Sequence, residues 1–221
     1  MKRVGVLISG RGSNLQSLID AATRPGYPAR IACVISNRPD AAGLDRARRA
    51  GIPAETIDHK PFGKDREAFE RALDARLAAH GVELVALAGF MRLFTPFMIE
   101  RWQGRMINIH PALLPAFKGL DTHRRALEAG VKIAGCTVHF VTLGMDEGPI
   151  IAQAAVAVLA GDDEASLAAR VLAAEHRIYP WALELVASGR VRLVGDRAEY
   201  DRRDGSDAML ISPAPDQAKS T

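Results

Sequence analysis

Cysteine is scarce in this chain of 221 residues: Cys33 and Cys136 are the only two. Two thiols cannot form a disulfide framework, and neither lies in a CxxC pair, which argues against structural zinc and for a reducing, cytoplasmic setting. Aromatic residues make up only 5 % of the chain, and charge of one sign is not concentrated, with 29 Lys plus Arg against 26 Asp plus Glu for a net +3. The sequence pI of 9.1 looks basic, but 23 of the 29 cations are Arg, which stays charged to very high pH. Arg46, Arg48 and Arg49, and again Arg124 and Arg125, stand among interleaved acids and read as solvated helix faces. Nucleic-acid binders gather positive charge on one face and interleave aromatics, so no nucleic-acid partner is expected.

Long apolar runs are also missing. Nothing approaches the roughly 20 residues of a membrane span, and the run at residues 4–8 falls short of the roughly 7–15 of a signal-peptide core. A soluble, cytoplasmic protein with no membrane partner is expected. What is present is ordinary globular composition, 48 % hydrophobic and 25 % charged, at a length that suits one sizeable domain.

The first half alternates short apolar runs with amphipathic stretches. Strands are predicted over 4–9, 31–36, 55–57, 84–88 and 106–110, and helices over 15–22, 43–50 and 65–79, the last with Phe69, Leu73 and Leu77 at helical spacing. Continuous apolar strands separated by helices mark a parallel sheet covered on both faces. The second half changes character. A Pro-rich loop at 111–119 precedes a helix at 122–129, and β-rich segments at 133–140 and 150–158 are placed to pair as an antiparallel extension. A long Ala-rich helix follows at 164–187, which Pro180 either kinks or ends early. Segments 191–194 and 198–200 read as a terminal hairpin, and the polar chain from about Gly205 as frayed. The expected class is α/β, Rossmann-like, with a mostly parallel central sheet, helices on both faces and an antiparallel C-terminal extension.

Three segments carry candidate chemistry. The first strand runs into Ser9-Gly10-Arg11-Gly12-Ser13-Asn14-Leu15, and glycines leading into a helix N-terminus make an anion site from free N–H groups, with Ser13 or Asn14 available as the cap. A plain tight turn is the competing reading. Leu15 stands where the third glycine of the dinucleotide fingerprint would be, and the lysine of a P-loop is absent. Next, Asn108 and His110 lie two apart on a strand, so both project from one face at the carboxyl end, where ligands bind in open α/β sheets. A satisfied core pair is the alternative. Finally, Asp146 lies in Leu143-Gly-Met-Asp-Glu-Gly-Pro149, between glycines that let the chain turn and present a carboxylate; it is otherwise a hairpin-turn aspartate, with Glu147 a competing carboxylate. An Asn, a His and an Asp meeting at one point suit acyl transfer: Asn donates to an oxyanion, while His and Asp hold and move protons.

No GxSxG appears and neither cysteine has an activating local context, which favours direct attack by a nucleophile carried on a substrate. His110 and His123 are widely spaced around the Pro-rich loop with no HExxH pair, so no metal is expected. That loop must turn sharply straight after its strand, and X–Pro is the bond with a small cis penalty, so Leu114–Pro115 is predicted cis.

Four segments then resemble one family. Ile8-Ser-Gly-Arg-Gly-Ser-Asn-Leu-Gln16, Ala88-Gly-Phe-Met-Arg92, Asn108-Ile-His-Pro-Ala-Leu-Leu-Pro115 with Gly119 and His123, and Gly135-Cys-Thr-Val-His-Phe-Val141 ending at Asp146-Glu-Gly-Pro149 closely resemble the phosphoribosylglycinamide formyltransferases, folate-dependent enzymes of purine synthesis. The resemblance runs in register over about residues 1–190. It implies a single formyltransferase domain there, with ribonucleotide phosphate binding in its first half and folate binding in its second, leaving 191–221 as hairpin and tail. It implies Asn108, His110 and Asp146 as the catalytic trio. Gly12, Ser13 and Asn14 match the phosphate loop, and Glu175 matches a contact to glycinamide ribonucleotide. Arg66, Met91, Arg92, Leu93, Val141 and Asp146 match the site of the co-substrate 10-formyltetrahydrofolate. Some relatives carry His where this chain has Asp121, which speaks against a role for Asp121, whereas His123 fits.

The resemblance leaves monomer and homodimer open. Methionyl-tRNA formyltransferase adds a C-terminal RNA-binding domain and the formyltetrahydrofolate hydrolase an N-terminal regulatory one; the chain's length leads to the expectation of neither. A hydrolase-like member of the family and a non-catalytic nucleotide-binding module are the remaining alternatives, while the missing third glycine argues against a nicotinamide dehydrogenase.

Overall fold

The computed structural model describes residues 1–201 and Ser212. Its central sheet contains β1 (Lys2–Ile8), β2 (Ala29–Ser36), β3 (Ala54–Thr56), β4 (Leu84–Leu87), β5 (Met106–His110), β6 (Ile133–Phe140) and β7 (Ile150–Ala157) in the spatial order β3-β2-β1-β4-β5-β6-β7. The first five strands are parallel, and β6 and β7 add antiparallel to β5. The chain winds outward from β1 to β3 and then crosses back to β4 on the other side of β1. That reversal opens a crevice at the carboxyl ends of β1 and β4, the usual place for a ligand in such sheets.

The alternation of side chains along β1 shows how the sheet is covered. Val4, Val6 and Ile8 enter one core with Leu15 and Leu18 of α1 (Ser13–Ala22), Leu44 of α2 (Gly43–Arg49), Ala126 of α5 (Thr122–Glu128) and Tyr179 and Leu183 of α6 (Glu164–Ala187). Leu7 enters the other, with Phe69, Leu73 and Leu77 of α3 (Arg66–Ala79) and Met98 of α4 (Pro96–Arg101). Each such fully buried aliphatic side chain stabilises by about 1.5–3 kcal/mol, so sheet and helices cannot separate cheaply. The hydroxyl of Tyr179, wholly buried, donates to the Leu87 carbonyl at 2.9 Å, which ties α6 to the end of β4.

Helix α6 runs unbroken through Pro180 to Ala187, where either a kink or an early end was expected. Asp163 and Ser166 form a capping box at its start, and Tyr27 donates to the Pro180 carbonyl at 2.6 Å. Packing of the buried face outweighs the single backbone hydrogen bond that a proline removes. Two elements were not expected: a 3-10 turn at Lys60–Phe62 and the six-residue α4. Both are too short to show a period. Helix α4 is anchored from outside by Glu70, a buried carboxylate on α3 that accepts from the Thr95 backbone N–H at 2.7 Å and from its hydroxyl. Strand β3 lies one residue earlier than predicted. The terminal hairpin is present as β8 (Val191–Val194) paired with β9 (Arg197–Tyr200). The frayed tail expected from about Gly205 falls outside the described residues. Among the described residues no helix is long and apolar enough to cross a membrane.

Candidate active site

The crevice between β1 and β4 starts from a glycine turn. Gly12 starts α1 at φ 71°, in the left-handed region that glycine adopts freely, and its carbonyl accepts from Gln16 N at 3.0 Å. A Cβ on Gly12 would stand 2.8 Å from the Gly43 Cα, and Gly43 N donates to Gly10 O at 3.0 Å, so the turn is pressed against the start of α2. Neither Ser13 nor Asn14 caps the helix, contrary to expectation: the cap position belongs to Gly12, which has no side chain to cap with, and no side-chain cap hydrogen bond is made. The N–H groups of that turn face a crevice of about 510 Å³ lined by residues 9–14, with Asn37, Arg38 and His59 on one side and Gly89, Met91 and Arg92 on the other.

Asn14 instead reaches across to α6, where its amide donates to Glu175 Oε2 at 2.7 Å. Glu175 is buried, and burial raises its carboxyl above the ordinary range while the Asn14 hydrogen bond opposes the rise. The other end of the Asn14 amide, Oδ1, is buried without a hydrogen-bond partner among the described residues. The floor holds a network that sequence reasoning missed. Ser9 Oγ donates to Asn37 Oδ1 at 2.6 Å and accepts from Met91 N at 2.8 Å, and His59 Nδ1 lies 2.9 Å from the Asn37 carbonyl. Its signal was available: Ser9 and Asn37 are the polar residues that terminate two buried apolar strands.

The second half of the site is built from side chains. The Asn, His and Asp expected to meet do meet. Asp146 turns in the left-handed region at φ 55°. Its Oδ2 lies 3.2 Å from His110 Nδ1 and accepts from Gly119 N at 2.9 Å. Glu147, the competing carboxylate, faces outward to Lys118 Nζ at 2.9 Å. The other ring nitrogen of His110, Nε2, donates to the Phe117 carbonyl at 3.0 Å. Both nitrogens of His110 therefore face acceptors, Nδ1 the Asp146 carboxylate and Nε2 the Phe117 carbonyl. Two side chains from the antiparallel extension hold the loop that follows: the Thr137 hydroxyl donates to Ala112 O and accepts from Leu114 N, and Gln153 donates to Leu114 O at 2.9 Å. Leu114–Pro115 is cis, as predicted.

A second imidazole completes the group. In the β5–β6 register His139 lies opposite Asn108, with Nε2 3.3 Å from Asn108 Nδ2 and 3.8 Å from Asp146 Oδ1. Burial lowers its pKa below the usual imidazole value, and His110 adds to this; the Phe140 carbonyl and Asp146 push the other way. The residue sits within a recognisable motif, but only the strand pairing shows that it faces Asn108.

Asn108, His139, Val141 and Asp146 line a cleft together with Arg92 and Leu93. Its lining includes large apolar side chains left in solvent: Leu93 at 58 %, Leu143 at 62 % and Met145 at 50 % exposure. Arg92 lines both this cleft and the anion crevice, whereas Met91, expected beside the folate, borders the crevice. Arg66 lines neither; it is the exposed first residue of α3. His123 lies apart, in an apolar pocket beneath the Pro-rich loop where burial lowers its pKa. Asp121 pairs with Arg124 at 2.6 Å on the surface. Both cysteines are buried, and burial pushes each thiol up to about 12, so neither is an activated nucleophile.

Fold and site together define an α/β protein with a crevice at the switch point of its sheet, beside the N-terminus of α1, and an Asn–His–Asp cluster next to it. The sequence profile of the formyl transferase family matches residues 2–183, and the chain belongs to that family. It is 53 % identical over 191 residues to the human trifunctional purine biosynthetic protein adenosine-3, an alignment covering 86 % of this chain and 19 % of that protein. The chain thus spans about a fifth of the length of that relative. It is 46 % identical over 196 residues to the phosphoribosylglycinamide formyltransferase of Escherichia coli K12, covering 89 % of this chain and 92 % of the relative. The crystal structure of glycinamide ribonucleotide transformylase 1 from Symbiobacterium toebii superposes with a TM-score of 0.87 at 56 % identity, over 90 % of this chain and 94 % of that one.

Proposed function

We propose that this chain transfers the formyl group of 10-formyltetrahydrofolate to the amine of glycinamide ribonucleotide, a step of purine synthesis in the cytoplasm. The observation that carries the reading is the meeting of two unlike cavities at Arg92. An anion crevice at a glycine turn and an apolar-rimmed cleft adjoin, and the cleft holds Asn108 and Asp146. The ribonucleotide phosphate takes the N–H groups at Gly12, Ser13 and Asn14, with Glu175 accepting from its hydroxyls. The flat folate enters past Met91, Leu93, Leu143 and Met145, with Arg92 and Val141 along the cleft. Arg66 lies outside both cavities, so any part it plays is confined to the exposed end of the folate.

Attack of the neutral amine on the formyl carbon forms a tetrahedral oxyanion. Asn108 donates to that oxygen. The Nε2–H of His110, held by the Phe117 carbonyl, is the second donor once the oxyanion takes that carbonyl's place. Asp146 supports the charged imidazole and receives the amine proton, which passes to N10 of the folate as it leaves. Juxtaposing two bound reactants supplies up to about 7–11 kcal/mol, and one oxyanion donor about 3–4 kcal/mol. No step in this scheme calls for a metal.

The test is a formyl-transfer assay with both substrates, using water as the control acceptor. Formylation that requires the ribonucleotide amine is the expected result. Rapid hydrolysis without it marks a hydrolase-like relative, and turnover with neither acceptor marks a non-catalytic nucleotide-binding module.

A further inference from the structure

We infer that His139 is a positioning residue that sets the orientation of the Asn108 amide, an inference that rests on the formyl-transfer reading. The argument is one of donors and acceptors. His139 Nδ1 lies 2.9 Å from the Phe140 carbonyl, which can only accept, so the ring proton sits on Nδ1. A neutral ring with its proton there presents a lone pair at Nε2. Two polar groups face that lone pair. Asp146 Oδ1, 3.8 Å away, is a carboxylate oxygen and cannot donate; the Asn108 amide nitrogen, at 3.3 Å, can.

The reverse orientation of Asn108 would set its carbonyl oxygen against the same lone pair. His139 is 2 % exposed, so water cannot relieve that repulsion. One amide N–H of Asn108 is therefore committed to His139, and the other is left for the cleft that both residues line. The Phe140 carbonyl thus fixes a tautomer, the tautomer fixes an amide, and the amide presents one donor to the developing oxyanion.

The predictions differ from those of a merely structural histidine. His139→Leu should lower kcat by about 10- to 100-fold, less than deleting the donor outright, with little change in either KM. In an Asn108→Ala background the same substitution should cost less than about twofold, because His139 acts only through Asn108. His139→Gln, whose Oε1 reaches the place of Nε2, should restore most of the loss, and His139→Asn, whose shorter amide does not, should behave like the leucine variant. Independently of any variant, 15N NMR of the imidazole nitrogens should show His139 Nδ1 protonated and Nε2 bare. A protonated Nε2, an unimpaired folded His139→Leu, or equal losses with and without Asn108 would each overturn the inference. Absence of formyl transfer by the unaltered chain would overturn the functional reading instead, and the NMR result would still decide the tautomer.

Discussion

The anion crevice and the Asn–His–Asp cluster lie side by side at the same edge of the sheet, yet they are made of different material. The crevice offers N–H groups that exist because a glycine turn leads into α1, and two of its side chains are spent elsewhere, Asn14 on Glu175 and Ser9 on Asn37. In the cluster every working atom is on a side chain, and each side chain is aimed by a neighbour: Asp146 by Gly119, His110 by Phe117, Asn108 by His139. A backbone site tolerates change in its side chains but not in its turn. A side-chain site fails when either the working group or its support is lost. Damage to the crevice should therefore appear in KM for the ribonucleotide, and damage to the cluster in kcat.

The largest effect expected is that of Asp146→Asn, which preserves shape but removes both the proton acceptor and the charge beside His110. Steady-state kinetics should show kcat reduced by about 10³-fold or more, with both substrates still bound. Asn108→Ala removes one oxyanion donor and should lower kcat by about 10²–10³-fold with little change in KM. A substitution in the cluster that raised KM for the ribonucleotide alone would erase the contrast between the two regions.

Gly12→Ala attacks the crevice through its turn. The residue would be held in the left-handed region, at a cost of about 1–2 kcal/mol, with its Cβ pressed on the Gly43 Cα at 2.8 Å. Denaturant melts should show at least that loss, and KM for the ribonucleotide should rise more than KM for the folate. Ser13→Ala, by contrast, should change either constant only a few-fold, because Ser13 caps nothing and its backbone N–H survives.

The same contrast explains what was legible beforehand. The order of strands and helices could be read because continuous apolar runs and helical periods are local signals, and they placed β4 and β5 within one residue of their observed ends and β1 within two. Asn108 and His110 could be read as a pair because strand alternation puts i and i+2 on one face. Asp146 could be read as a carboxylate presented by a glycine-flanked turn, but the choice of it over Glu147 came from the resemblance, as did Glu175, whose distance from Asn14 along the chain holds no physical signal of contact. What stayed hidden was carried by tertiary pairing. His139 faces Asn108 only through the β5–β6 register, His59 meets Asn37 only through the β2–β3 side of the crevice, and α4 is too short to show a period and is held by a buried Glu70 from another helix. The helix cap was misassigned for a related reason: a glycine in the left-handed region took the position that side-chain chemistry reserves for Ser or Asn.

The last effect, read first in stability and testing the contact between the crevice and α6, concerns Glu175. Its carboxyl titrates above the ordinary range because burial disfavours the charge more than the Asn14 hydrogen bond favours it. The folded chain then holds this proton at pH values where the unfolded chain has released it. By linkage, stability falls as pH rises from the ordinary carboxylate value near 4.5 through the raised folded value, and the cost is fully present above it. Glu175→Gln keeps an acceptor for Asn14 but removes the buried charge. It should be more stable than the unaltered chain at pH 7, with the difference vanishing below about pH 4, where both side chains are neutral. Urea melts at the two pH values measure this directly. If Glu175 also accepts from the ribonucleotide, the same variant loses a charge-assisted hydrogen bond worth about 1.5–3 kcal/mol, and KM for that substrate rises about 10- to 100-fold while the folate is unaffected. A variant that gained stability without losing ribonucleotide affinity would leave Glu175 as a partner of Asn14 alone, and the crevice would end at α1.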